Sequence, residues 1–183
     1  MKFSRSSPEL DATDQAILDL LQENCKQPLA AIGEKVGLSA PAVLDRIHKL
    51  EEAGVIRAYT ALLDARQLGM DVAAFIGVST DRPGAVHGIE AAVSAMDEVL
   101  ECHHVTGAHT LMLKVKTQNT ESLEELIDRV RSLEGVSRTE TMVVLSTHME
   151  RTRIALPPEE AATARPRRSG ARSRKGGTGG EET

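Results

Sequence analysis

The stretch Gly37–Gly54, GLSAPAVLDRIHKLEEAG, decides how this chain is read. Gly37 permits a sharp turn, because glycine reaches left-handed backbone angles without steric cost. Ser39 is placed to cap a helix by accepting a bond from a free backbone N–H of its first turn. Pro41 is tolerated in that turn, where its missing N–H costs nothing. Val43, Ile47 and Leu50 recur at i, i+4 and i+7, the spacing of a buried stripe, and Ala42, Asp45, Arg46 and Lys49 take the opposite side. Gly54 is placed to end the helix in a left-handed conformation. A tight turn leading into a capped amphipathic helix is the pattern of a helix-turn-helix, whose second helix enters the major groove of DNA.

Upstream, Leu10, Ile17, Leu18 and Leu21 recur at helical spacing, and Asp11 with Asp14 three residues on predicts a capping box. Pro28 suits the first turn of a second helix, with Leu29, Ile32 and Val36 as its buried stripe. Downstream, Val55–Leu63 (VIRAYTALL) predicts an extended wing or linker strand. The chain then alternates. Val72–Thr80 predicts a strand, and Pro83–Met96 a helix with Val86, Ile89, Val93 and Met96 on one face. Val99–Thr106 and His109–Lys116 predict a hairpin turning at Gly107. Leu123, Leu126, Ile127, Val130 and Leu133 mark another helix, stopped at Gly135 before a last strand, Val136–Thr147. The order strand-helix-strand-strand-helix-strand is the split βαβ arrangement of ferredoxin-like domains. Helices cover one face of such a sheet, and the other face needs a partner, which predicts oligomerisation.

The expected fold is therefore α+β, an N-terminal winged helix-turn-helix followed by a C-terminal ferredoxin-like βαββαβ domain. Its expected divisions are a flexible arm (1–8), the helix-turn-helix (9–54), a wing or linker (55–70), the ferredoxin-like effector and oligomerisation domain (71–156) and a tail (157–183). The tail holds no large apolar residue and is rich in Pro, Gly, Arg and Ser, a composition that predicts disorder. Its Arg165, Arg167, Arg168, Arg172, Arg174 and Lys175 form a run suited to phosphates.

Composition narrows the class. Of 183 residues, 40% are hydrophobic and only 2% aromatic, so the cores must be aliphatic and stacking platforms for single strands are not expected. A net charge of −5 argues against indiscriminate coating of nucleic acid, although local potential matters more than the sum. Cys25 and Cys102 make no disulfide framework and fit a reducing cytoplasm. The stretch MKFSRSSPEL holds no apolar core of signal-peptide length and no run approaches a membrane span, so a soluble, intracellular protein is expected. Cys102-His103-His104 offers two residues on one strand face, too few for tetrahedral zinc, so no metal and no cofactor is expected.

On the DNA face, Ala40 and Ala42 are candidates for thymine methyls, beside Pro41, and Ser39 or Arg46 for phosphate or base. A bidentate arginine–guanine contact gives roughly 1–3 kcal/mol of discrimination. Lys49 and Arg57 are candidates for phosphate. Residues 9–60 hold five Lys or Arg against nine Asp or Glu, so one module alone is expected to bind weakly and to need pairing. Asp45 is a further DNA-face candidate, as an acceptor for a cytosine amino group, with a salt bridge to a neighbouring Arg or Lys as the expected alternative.

These motifs together resemble the Lrp/AsnC family of transcription regulators. The resemblance runs from about Leu10 to Leu156. It rests on Leu10-Asp11 with Asp14, the LS-x-x-x-V-x-x-R-I-x-x-L run at Leu38–Leu50, Glu51-x-x-Gly54-Val55-Ile56, Val105-Thr106-Gly107, and Glu134-Gly135-Val136 before a Thr-rich strand. It implies a non-enzymatic regulator of double-stranded DNA, dimeric through its C-terminal domains and often octameric. It also implies a small-molecule effector, commonly an amino acid, held between subunits by the turn after Val-Thr-Gly. Here that turn gives Thr106, Gly107, Ala108, His109 and Thr110 as the effector candidates, without the family's usual acidic residues. Two alternatives share the fold: a sirohaem-decarboxylase-like enzyme using histidines of the second domain, and an effector-independent, nucleoid-type architectural protein.

Overall fold

The computed structural model describes residues 9–156. The arm at 1–8 and the tail at 157–183, with their predicted flexibility and disorder, lie outside the described residues. Within them the chain divides into two compact units, one of residues 9–60 with 152–156 and one of 61–151.

The first unit is three helices, α1 (Ala12–Glu23), α2 (Leu29–Val36) and α3 (Ala40–Glu52). Asp11 caps α1, and its reciprocal bonds with Asp14 complete the predicted capping box. Pro28 falls one position earlier than expected, as the N-cap of α2 with an extended backbone. Gly37 ends α2 at φ 71°, and Gly54 follows α3 at φ 70°. Ile17, Ile32, Val43 and Ile47 form the core, closed by Leu20, Leu21, Leu29, Val36, Leu38 and Ile56.

The predicted strand at 55–63 does not form. β-branched residues favour extended backbone, but a strand exists only through its ladder. Here the N–H groups of Val55 and Ile56 both turn back to the Leu50 carbonyl, at 2.9 and 3.2 Å, and close the end of α3.

The second unit is a four-stranded antiparallel sheet, β1 (Val72–Ser79), β2 (Val99–His104), β3 (Leu111–Thr117) and β4 (Arg138–Val143), in the order β2-β3-β1-β4. Helices α4 (Val86–Ser94) and α5 (Thr120–Arg131) complete the predicted βαββαβ order. Three boundaries are tighter than the pattern suggests. Pro83–Ala85 is a 3-10 turn before α4, the hairpin strands stop at His104 and restart at Leu111, and β4 ends at Val143. Ala74, Ile76, Val78, Leu111, Leu113 and Val115 point to one face and pack on Ile89, Val93, Leu126 and Val130 of the helices. The opposite face carries Phe75 and Met142, which are 37% and 44% exposed. Among the described residues no helix is long and apolar enough to cross a membrane.

Candidate functional site

The α2–α3 turn is built at close range. Leu38 N–H donates to the Gly33 carbonyl at 2.9 Å, and Ala42 N–H donates to Ser39 Oγ at 3.4 Å. A Cβ on Gly33 would lie 2.4 Å from the Leu38 carbonyl oxygen, so the turn can be this tight only because residue 33 is glycine. Its signal in the sequence is an isolated glycine inside a helical pattern, which marks a close approach.

This turn sets α3 with Val43, Ile47 and Leu50 buried and Pro41, Leu44, Asp45, His48 and Lys49 exposed. Ser39 is exposed at the cap, Ala40 and Ala42 are half-buried, and Arg57 is exposed beyond the helix. Lys49 Nζ lies 2.7 Å from Asp45 Oδ2, one helical turn away, and this bond holds the Asp45 carboxyl below its ordinary range. The expected local salt bridge is therefore present, and it ties up Lys49.

Arg46 behaves differently from the other candidates on this helix. Its Nη1 lies 2.7 Å from both Asp11 Oδ2 and Asp14 Oδ1, the two carboxylates of the α1 capping box. The bond to Arg46 is the main cause that holds Asp11 below its usual pKa, and the same pair of carboxylates pushes Arg46 up. The guanidinium thus clamps the recognition helix to the start of α1. Sequence spacing assigns Arg46 and the Asp11–Asp14 cap to separate roles, and the fold joins them.

The second candidate site is the turn between β2 and β3. Gly107 has φ +116°, and Val105 N–H donates to the Thr110 carbonyl at 3.1 Å. Thr110 N–H donates to the Val78 carbonyl at 2.9 Å, and its Oγ1 accepts from Thr80 N–H at 3.3 Å, so the turn is bound to the end of β1. Thr106, Gly107 and Ala108 are exposed. His109, only 12% exposed, folds back over the open face of the sheet. Its ring fills the space above Gly77, where a Cβ would stand 2.5 Å from Cδ2. Nδ1 lies 3.3 Å from Ser79 Oγ, which also reaches the Ala108 carbonyl, and Nε2 lies 3.7 Å from Glu140 Oε2. A carboxylate absent from the turn is therefore delivered by β4, where Arg138 also bonds it at 3.0 Å. Only the sheet register brings Glu140 opposite Gly77.

The Cys102-His103-His104 run splits as strand alternation requires. Cys102 packs against the core, where burial pushes its thiol up, while His103 Nε2 lies 2.9 Å from Glu101. Among the described residues no group of three or more His, Cys, Asp or Glu is placed to hold a metal ion.

A capped helix-turn-helix joined to a ferredoxin-like domain with a built turn defines a class, the two-domain transcriptional regulators. Comparison with known proteins makes this specific. Residues 10–51 match the AsnC-type helix-turn-helix domain, and residues 73–154 match the Lrp/AsnC ligand binding domain. The chain is 35% identical over 147 residues to the HTH-type transcriptional regulator FL11 of Pyrococcus horikoshii, covering 80% of this chain and 97% of that protein. It is 30% identical over 148 residues to the regulatory protein AsnC of Escherichia coli, covering 78% and 95%. A transcriptional regulator of Neisseria meningitidis, solved as its L-Met complex, superposes with a TM-score of 0.76 at 32% identity, covering 80% of this chain and 96% of that one. The chain belongs to the Lrp/AsnC family of transcriptional regulators.

Proposed function

We propose that this protein is a sequence-specific reader of double-stranded DNA that works as a dimer or higher oligomer in the cytoplasm, with its DNA binding modulated by a small metabolite. The observation that carries this is the α2–α3 turn, which holds α3 by a Ser39 cap, a Gly33 contact and the Arg46 clamp while its N-terminal face stays open. Ser39, Ala40, Pro41 and Ala42 are the residues for base edges, since the N-terminal part of a recognition helix reads the groove. Arg57 serves phosphate, Lys49 does so at the cost of its bond to Asp45, and Arg46 mainly fixes the helix that presents them.

On the effector reading the ligand sits at Thr106–Thr110, with Glu140 as the carboxylate available to an ammonium group. The L-Met complex of the Neisseria regulator supports an amino acid as the ligand class. The open sheet face with Phe75 and Met142 supports self-association.

The test is a salt-controlled binding assay on DNA upstream of the protein's own gene against a scrambled duplex, with a thermal-shift panel of amino acids beside it. Preference for the upstream duplex of at least about tenfold is expected, within the usual range for specific sites. Equal binding to both duplexes overturns specific recognition and favours an architectural protein. A panel with no thermal shift overturns the effector reading alone.

A further inference from the structure

The open face of the sheet is finished differently at its two ends. At the turn end, His109 lies over Gly77. At the other end, Lys116 of β3 stands opposite Ala73 of β1, and beyond Ala73 the N–H of Val144 donates to its carbonyl at 2.8 Å. Alanine leaves a hollow between these two longer side chains. After Val144 the chain crosses β1 to reach β3, where Glu150 Oε1 bonds Lys114 Nζ and Oε2 lies 3.7 Å from Lys116 Nζ. Residues 146–150 thereby wall a cavity of about 450 Å³ over Ala73 and Phe75. A second cavity of about 440 Å³, lined by Leu63 and Met70, meets it at Ala73, Lys116 and Glu150. All of this lies within the sheet unit. Along β3, Lys116 is about 20 Å from Thr110 of the candidate effector turn.

The cavity has a definite chemistry. Lys114 and Lys116 stand at i and i+2, so both ammonium groups are on its side of the strand. Glu150 spans them with one oxygen toward each, as a bound carboxylate would. The bond from Lys114 is the main cause that holds the Glu150 carboxyl below its ordinary range, so it is charged at neutral pH. Lys114 also bonds Glu101 at 3.2 Å, whereas the contact of Lys116 is longer than the about 2.7–2.9 Å of a close ion-pair bond. The charge of Lys116 is thus only partly answered. Glu150 is 48% exposed, and ion pairs this open hold weakly. Phe75, Val144 and Met149 make the rest of the wall largely apolar. Apolar walls with a few placed charges suit a small organic ligand.

We propose that this hollow is a ligand site separate from the Thr106–Thr110 turn, and that it takes a small carboxylic acid with an apolar body, whose carboxylate replaces Glu150 between Lys114 and Lys116. An ammonium group on the ligand would sit beside two lysines, so the site prefers the acid to the corresponding amino acid.

Three probes that share one aliphatic body test it, by ligand-observed saturation-transfer NMR titration of the full chain: 4-methylpentanoate, leucine and 4-methylpentan-1-ol. The native chain is expected to bind the acid, and the other two at least about tenfold more weakly. Lys116→Met should lose about tenfold in affinity for the acid, and Lys116→Arg should keep most of it. Glu150→Gln removes the internal competitor and should gain about threefold. A carboxylate that served structure alone would give no such gain. Circular dichroism checks the fold of each variant, and Glu150→Gln against the native chain decides if Lys116→Met does not fold. No acid binding to either the native chain or Glu150→Gln overturns the site. Acid binding unchanged in folded Lys116→Met places the ligand elsewhere, the Thr106–Thr110 turn included, and also overturns it. Leucine or the alcohol binding as tightly as the acid overturns the ligand class. A Glu150→Gln chain that binds no better than the native one overturns the role of Glu150 as the ligand's stand-in.

Discussion

The two turns at the candidate sites are made in opposite ways. The α2–α3 turn is closed by neighbours in sequence: Gly33 meets Leu38, Ser39 caps Ala42, and Gly37 supplies the left-handed step. The β2–β3 turn has one local bond, Val105 N–H to the Thr110 carbonyl, but its side chains are seated from far away: Ser79 and Gly77 lie some thirty residues before His109, and Glu140 about thirty after it. A turn of local make is rigid in its backbone. A turn of distant make is finished by side chains, so it tolerates changes that its neighbours can match.

The largest expected effect breaks the first turn. In Gly33→Ala the new methyl would lie 2.4 Å from a backbone oxygen of Leu38, and no side chain can swing aside to relieve it. Overpacking of this kind costs about 2–3 kcal/mol. Tyr59, the only tyrosine in a chain without tryptophan, lies in this unit and donates to Glu51 at 2.9 Å. Its fluorescence during urea unfolding therefore reports on the helix-turn-helix. A change in stability below about 0.5 kcal/mol would show that the turn relaxes and that its rigidity is overstated.

A smaller effect is expected at the second turn, and it should be repairable. Gly77→Ala sets a methyl against the His109 ring, the end of a side chain that can rotate away at the cost of its Ser79 contact. We expect a loss of about 1 kcal/mol in the sheet unit, measured by far-ultraviolet circular dichroism, with the Tyr59 transition unmoved. Adding His109→Ala should recover most of it, giving a coupling energy of about 1 kcal/mol in a double-mutant cycle. Strictly additive losses would mean that the ring does not sit over Gly77.

The same contrast explains how much is legible in the sequence. Caps, stripes and left-handed glycines act within one helical turn, so Asp11, Ser39, Gly37, Gly54 and the 43/47/50 stripe can all be read directly. The βαββαβ order is legible from alternating periodicities. The strand expected at 55–63 fails because β-branching favours extension while only a ladder makes a strand. Arg46 looks like a free cation because its partners, Asp11 and Asp14, sit more than thirty residues earlier and are already engaged as a cap. Gly33 and Gly77 do leave a signal, each being an isolated glycine inside a regular element. Glu140 leaves none, because only sheet register brings it to His109.

The smallest expected effect sharpens the account of the Arg46 clamp. The bond from Arg46, then that from Asp14 N–H, holds Asp11 below its ordinary pKa in the folded protein. A carboxyl depressed on folding stabilises the fold above its unfolded pKa, near 3.9, and that stability is lost as pH falls through the folded value. Stability reported by Tyr59 should therefore fall as pH drops below about 4. Asp11 is 52% exposed and the ion pair is partly screened, so its share is at most about 1 kcal/mol. Asp11→Asn isolates that share, because asparagine caps a helix as well as aspartate does but carries no charge for Arg46. The native chain should exceed this variant by about 0.5–1 kcal/mol near pH 6, and the gap should close toward pH 2. A gap independent of pH would assign the Asp11 contribution to the cap alone and leave Asp14 as the carboxylate that fixes the recognition helix.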